Sequence, residues 1–169
     1  RNKHETDAIE NNIKWIDLVI CNLYPFSETI SKIDCDQALA LENVDIGGPT
    51  MIRSAAKNVG WVTVIIDPSD YERVLENINE KNEINFETRS SLSSKAFGHT
   101  AQYDTIIHNY LKESKLSNDF TLTYKKHSDM RYGENPHQAA SAFQIPGDKS
   151  NGILNAKIHQ GKKLSYNNI

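Results

Sequence analysis

Two apolar runs of strand length, Trp15-Ile16-Asp17-Leu18-Val19-Ile20-Cys21 and Trp61-Val62-Thr63-Val64-Ile65-Ile66, constrain this chain more than any other feature. A nearly unbroken run of this kind suits a strand covered on both faces, as in a parallel sheet, rather than one with a solvated side. Each run ends at a proline-containing turn, Pro25 after the first and Pro68 after the second. Helical patterning lies between them and resumes after Pro68 with Val74, Leu75 and Ile78. Strand, helix, strand, helix is the order of a parallel β-α-β sheet, so the expected fold class is α/β.

The segment between the runs is the most distinctive: Val44-Asp45-Ile46-Gly47-Gly48-Pro49-Thr50-Met51-Ile52-Arg53-Ser54-Ala55-Ala56-Lys57-Asn58. It reads as a glycine turn feeding a helix, with Pro49 at the first helical position, where a missing N–H costs nothing. Met51, Ile52, Ala55 and Ala56 form an apolar stripe, and Gly60 is placed to end the helix. Arg53 and Lys57 share a face. Unpaired N–H groups at such a start suit an anion. The plainer reading is an amphipathic helix whose basic residues complement its C-terminal dipole. In open α/β sheets ligands sit beyond the carboxyl ends of strands, which puts Asn22 and Tyr24 in the favoured place. Tyr24 and Phe26 packing a loop is the simpler account of those rings.

Elsewhere, residues 1–13 suit a surface helix and residues 36–42 a short one. Ser69 and Glu72 make a capping-box pattern, and residues 77–85 read as a solvated turn. Residues 86–111 read as mostly helical, with a kink or restart at Gly98-His99-Thr100. His99 and Asp104 resemble a catalytic pair but are better read as helix-junction hydrogen-bonding residues. The chain turns polar over residues 112–119, which places a domain boundary near residue 120. Residues 120–124 alternate like a half-buried strand, and residues 130–138 form a polar, turn-rich loop that hints at a binding site.

A formal charge of −3 gives no electrostatic case for nucleic acid or an anionic membrane, and no apolar stretch approaches the roughly 20 residues of a spanning helix. No signal peptide opens the chain. Cys21 and Cys35 follow no metal or disulfide spacing, which points to a reducing cytosol, and the scattered histidines argue against zinc. The chain starts at Arg1 without a methionine and stops just after Leu164-Ser165-Tyr166, so a fragment is expected.

Six stretches in order carry a family resemblance. They are Cys21-Asn22-Leu23-Tyr24-Pro25-Phe26, Val44-Asp45-Ile46-Gly47-Gly48-Pro49-Thr50, Ala55-Ala56-Lys57-Asn58, Lys95-Ala96-Phe97-Gly98-His99-Thr100-Ala101-Gln102-Tyr103-Asp104, Arg131-Tyr132-Gly133-Glu134-Asn135-Pro136-His137-Gln138 and Leu164-Ser165-Tyr166-Asn167-Asn168. Together they resemble the bifunctional purine biosynthesis enzymes that join 5-aminoimidazole-4-carboxamide ribonucleotide transformylase to IMP cyclohydrolase. The resemblance implies an N-terminally truncated, methylglyoxal-synthase-like cyclohydrolase domain over residues 1–120. Residues 121–169 would begin a cytidine-deaminase-like transformylase domain. It also implies a cytoplasmic homodimer that handles purine nucleotide intermediates and 10-formyltetrahydrofolate and needs no metal. Further family motifs would precede Arg1 and follow Ile169, leaving neither active site complete and the fragment inactive alone.

By the same resemblance, Lys57 transfers protons in ring closure, Asp45 orients or accepts a proton at the reacting end, and Tyr24 donates to the developing oxyanion. Cys21, Asn22, Ile46 and Gly47 contact the base. Arg131 and Tyr132, with Asn168, hold the aminoimidazole nucleotide of the transformylase, and an arginine fork suits its phosphate or carboxamide oxygens. A rival reading is a phosphate-binding regulatory module, since methylglyoxal-synthase-like folds also serve as effector domains. The motif that starts at Arg131 counts against it.

Overall fold

A computed structural model describes residues 2–113, 118–148 and 150–168. The chain divides into two compact units, Arg1–Tyr110 and Leu111–Ile169. The division falls ahead of residue 120, where composition alone places it. Tyr110 still belongs to the first unit, its ring packed edge-on against Phe26 at 5.7 Å, whereas the Lys112 ammonium lies 5.4 Å from the Phe120 ring in the second. Residues 114–117, inside the polar stretch, lie outside the described residues.

The first unit runs α1 (Asn2–Glu10), β1 (Leu18–Ile20), α2 (Phe26–Ile30), α3 (Gln37–Glu42), α4 (Gly47–Lys57), β2 (Thr63–Ile65), α5 (Tyr71–Lys81) and α6 (Phe86–Leu111). The strands pair in parallel with Leu18 opposite Thr63, Val19 opposite Val64 and Ile20 opposite Ile65. Flanking bonds from Thr63 N to Asp17 O (2.8 Å) and Cys21 N to Ile65 O (3.0 Å) extend the ladder. The mixed α/β class with a parallel sheet is the one the two apolar runs require. Alternation sorts the side chains of the second run. Val64 and Ile66 are buried with Ile52, Ala55 and Ala56 of α4 and Ala96 of α6, and Val19, Cys21, Leu23 and Val62 pack against them. Ile65 turns the other way, toward Val74 of α5 and Leu92 of α6. β2 is thus covered on both faces.

β1 is not. Leu18 and Ile20 remain 37% and 52% exposed because the α5–α6 layer covers only β2, and among the described residues β1 has a neighbour on one edge alone. The expectation of two fully covered strands therefore holds for the second run and fails for the first.

Helix α6 is continuous over 26 residues, so the chain does not restart at Gly98. A Cβ at Gly98 would meet open space, and the Thr100 hydroxyl bonds back to Phe97 O (3.1 Å) within the same helix. Asn85 starts α6 by accepting from Thr88 N (2.8 Å). Arg89 then donates to Val59 O (2.9 Å) and Ile84 O (2.7 Å), and Ser93 donates to Ala56 O (2.8 Å), pinning α6 across the end of α4. The capping box does not form. Asp67 caps a 3-10 turn (Pro68–Asp70) by accepting from Ser69 N (2.9 Å), and α5 continues to Lys81, past the turn expected from residue 77.

In the second unit β3 (Lys125–Asp129) and β4 (Ser141–Gln144) form an antiparallel pair with a bulge between Lys126 and Ser128. The strand expected over residues 120–124 lies one register block later. Alternating apolarity there has no partner strand among the described residues, whereas residues 125–129 face β4.

Lys95 of α6 closes the turn after β2, with its ammonium 2.8 Å from Asp67 and 2.6 Å from Asp70. The Lys95 hydrogen bond, with the Ser69 N–H behind it, holds the Asp67 carboxyl well below its ordinary 3.8. A carboxyl lowered in the folded state stabilises fully above its ordinary value and loses that contribution as pH falls toward the folded one. Lys95→Met is expected to lower Tm modestly at neutral pH, the pair being part-exposed, and to flatten the fall of Tm in acid. Thermal unfolding of the intact protein across the acid range checks this, and identical acid profiles would assign the effect to Ser69 alone.

Candidate functional site

The carboxyl end of β1 and the start of α4 meet at one side chain. Asp45 accepts from Tyr24 N through Oδ2 (3.2 Å) and from Gly48 N through Oδ1 (2.8 Å). The second bond is that of a helix cap: a short acidic side chain satisfies an N–H that the first turn leaves unpaired. The first ties the residue after Leu23 to the same carboxylate. Both segments approach closely only because residue 48 is glycine. A Cβ there would lie 2.6 Å from Asp45 Oδ2 and 2.6 Å from Leu23 Cδ2.

Around this clamp the residues picked out by sequence take distinct places. Cys21 is half-buried, and burial first, then the Asp45 charge, raises the pKa of its thiol. Asn22 is exposed and Tyr24 is 59% exposed, whereas Phe26 is buried edge-on against Tyr103 at 6.3 Å. Loop packing therefore accounts for Phe26 and leaves the Tyr24 ring open to a ligand. Ile46 is 74% exposed, and a Cβ at Gly47 would meet nothing within 4 Å, so the peptide groups at the start of α4 are accessible.

A cleft of about 230 Å³ is lined by Asn22, Tyr24 and Glu28 together with His99, Gln102 and Tyr103 of α6. Asp45 stands behind this cleft rather than in its wall, linked to it through Tyr24 and Tyr103. Tyr103 OH accepts from Asp45 N at 2.9 Å. The α6 residues were absent from the sequence-derived site, although residues 99, 102, 103 and 106 carry the i, i+3, i+4, i+7 spacing of one helical face. Tyr103 packs in an apolar cluster with Phe26 and Ala40, and its hydroxyl is what reaches Asp45. His99 and Asp104 do not form a pair: five residues on, Asp104 is about 140° around the helix and exposed.

Lys57 stands elsewhere. It closes the last turn of the 11-residue α4, whose ends are separated by roughly 15 Å at 1.5 Å per residue, while Asp45 precedes the first turn. It is exposed and does not line the cleft. Asp45 and Lys57 thus stand at opposite ends of α4. Arg53, on the same face as Lys57, stacks over the Phe97 ring at 5.5 Å.

In the second unit the polar loop is closed by Gly133 N to Gln138 O (2.7 Å) and Asn135 N to Gln138 Oε1 (2.8 Å). Its start pairs with the C-terminal motif through Arg131 N to Leu164 O (2.9 Å) and Tyr166 N to Tyr132 O (3.2 Å). Arg131 lies 5.1 Å over the Tyr132 ring and donates to its hydroxyl at 3.3 Å. The buried Ser165 hydroxyl first, and Arg131 second, lower the pKa of that phenol. Asn168 ends the 3-10 turn Tyr166–Asn168 beside them, and its side chain lies outside what the structure describes. The two motifs, about 30 residues apart in sequence, thus form one polar surface. Among the described residues, no cluster of three or more His, Cys, Asp or Glu could hold a metal, and no helix is long and apolar enough to cross a membrane.

The clamp yields a contrast between adjacent glycines. Gly48→Ala is expected to destabilise the intact protein by about 1–3 kcal/mol, because its Cβ displaces Asp45 and Leu23. Gly47→Ala, built into open space inside a helix, is expected to be neutral or stabilising. Denaturant unfolding of both variants checks this, and equal midpoints would contradict the packing around Asp45.

Similarity to known proteins points the same way. A family model described as the AICARFT/IMPCHase bienzyme matches residues 55–169. The bifunctional purine biosynthesis proteins PurH of Streptococcus uberis, Bacillus cytotoxicus and Leuconostoc mesenteroides are 53%, 50% and 49% identical, each over 98–99% of this chain and 33% of its own length. The chain therefore spans about a third of these relatives. Among solved structures, the crystal structure of ForH aligns with a TM-score of 0.56 at 34% identity, covering 63% of this chain and 56% of that one. With the family model matching more than half of the chain and relatives near half-identical over almost all of it, the chain belongs to the AICARFT/IMPCHase bienzyme family.

Proposed function

We propose that this chain is part of a bifunctional enzyme for the last two steps of IMP synthesis. A formyl group passes from 10-formyltetrahydrofolate to 5-aminoimidazole-4-carboxamide ribonucleotide, and the product then closes to IMP with loss of water. In this reading the first unit is the C-terminal part of a methylglyoxal-synthase-like cyclohydrolase domain, and the second begins a cytidine-deaminase-like transformylase domain. The parent protein acts in the cytoplasm as a homodimer. The observation that supports the cyclohydrolase assignment is the Asp45 clamp. It gathers a strand end, a helix start and an open tyrosine ring beside one cleft.

Ring closure requires the carboxamide nitrogen to attack the formyl carbon, after which the former formyl oxygen leaves as water with one proton from that nitrogen and one from the nitrogen that carried the formyl group. An amide nitrogen is a poor nucleophile, so orientation and proton handling dominate the barrier. Each Asp45 oxygen already accepts one backbone N–H and keeps a lone pair for a ligand N–H, which suits it to orient the carboxamide. Tyr24 donates to the oxygen that gains charge. Asn22, Cys21, Ile46 and Gly47 supply amide and main-chain contacts to the base. Lys57, at the far end of α4, transfers the proton. In the transformylase, Arg131, Tyr132 and Asn168 hold the nucleotide whose amine attacks the formyl carbon as tetrahydrofolate leaves.

In the intact enzyme Asp45→Asn and Lys57→Ala are each expected to lower kcat of cyclisation by roughly 10²–10⁴, the range of acid–base groups, with formyl transfer preserved. Steady-state assays of both activities check this. An unchanged cyclisation rate in Asp45→Asn would overturn the clamp as the reacting end, and one in Lys57→Ala would remove that residue alone. Arg131→Ala is expected to raise the nucleotide KM of formyl transfer and leave cyclisation intact, and loss of both activities would contradict a local role.

A further inference from the structure

We infer that Tyr103 of α6 is a positioning residue for ring closure: its hydroxyl holds the Asp45 backbone while its ring holds the loop that carries Tyr24. The inference rests on the proposed role of Asp45 and extends it to a residue with no assigned part in the reaction. Three observations converge on it. Tyr103 OH accepts from Asp45 N at 2.9 Å, across 58 residues of sequence. Its ring meets Phe26 edge-on at 6.3 Å, two residues after Tyr24. It is buried in the cluster that holds Phe26 and Ala40, with Leu23 and Val44 packed around it.

The consequence is geometric. Asp45 could pivot about its own χ angles and still accept from Gly48 N. The bond to Tyr103 fixes the main chain from which that side chain springs, and the edge-on contact fixes the neighbouring loop against the same ring. One residue of a helix tied to α4 therefore sets the separation between Asp45 and Tyr24. Burial, and then the Asp45 charge, raises the Tyr103 pKa, so the group stays a neutral phenol and does not repel the nearby carboxylate. Displacements near 1 Å at a reacting group cost about a hundredfold in rate, which sets the scale for losing this tether.

Tyr103→Phe keeps the ring contact and removes only the oxygen. In the full-length enzyme it is expected to lower cyclisation kcat about ten- to a hundredfold with little change in nucleotide KM, while formyl transfer in the same preparation stays normal. In an Asp45→Asn background the same substitution is expected to add no further loss, because its effect passes through Asp45. A ring-fluorinated tyrosine at position 103, a weaker acceptor of the same shape, is expected to fall between wild type and Tyr103→Phe, and it serves as the variant of choice if Tyr103→Phe does not fold. A normal kcat in Tyr103→Phe beside an impaired Asp45→Asn would overturn the inference and leave the reading of Asp45 standing. Multiplicative losses in the double variant would also overturn it, since they indicate a general structural effect. A normal rate in Asp45→Asn would overturn both.

Discussion

One carboxylate joins the two segments on which everything else converges. Asp45 takes an N–H from the loop after β1 with one oxygen and an N–H from the first turn of α4 with the other. Neither donor belongs to a ladder or to the helix interior, so each would be left unpaired without it. The requirement propagates outward. Gly48 must lack a side chain, Leu23 must pack beside it, and the backbone of Asp45 must itself be held from α6.

Helix α6 supplies that hold and much else. Along one helix, Arg89 and Ser93 fasten the α4–β2 connection, Lys95 closes the turn after β2, and Tyr103 meets the clamp. The strands are only 3 residues each, too short to place a site by pairing alone. The arrangement is a small parallel sheet whose carboxyl ends are organised by α4 and α6. That is where ligands bind in open α/β sheets.

How much of this was legible in the sequence depends on the kind of interaction. The parallel sheet and the helix after the glycines follow from periodicity, which reports burial directly. The uncovered face of β1 could not be read, because an apolar run records what a strand needs and not which layer meets it. The clamp was half visible. Asp45 and Gly48 stand in a recognisable turn, but the donor Tyr24 and the anchor Tyr103 lie 21 and 58 residues away, and no local pattern encodes such contacts. Asp45 and Lys57 lie at opposite ends of α4, a spacing that follows from the rise of the helix between them. In the second unit, the joining of the Arg131 loop to the Leu164 segment was likewise invisible locally, although both had been singled out by their residues.

The most direct test of the account is a crystal structure of the intact protein with IMP bound. The account predicts the base at the carboxyl end of β1 beside Asn22 and Tyr24, with a base nitrogen or oxygen within about 3.2 Å of Asp45 or of the peptide groups at Ile46 and Gly47. The bonds from Asp45 to Tyr24, Gly48 and Tyr103 would all be intact. IMP seated away from these residues, or an Asp45 carboxylate turned from the nucleotide with those bonds broken, would contradict it.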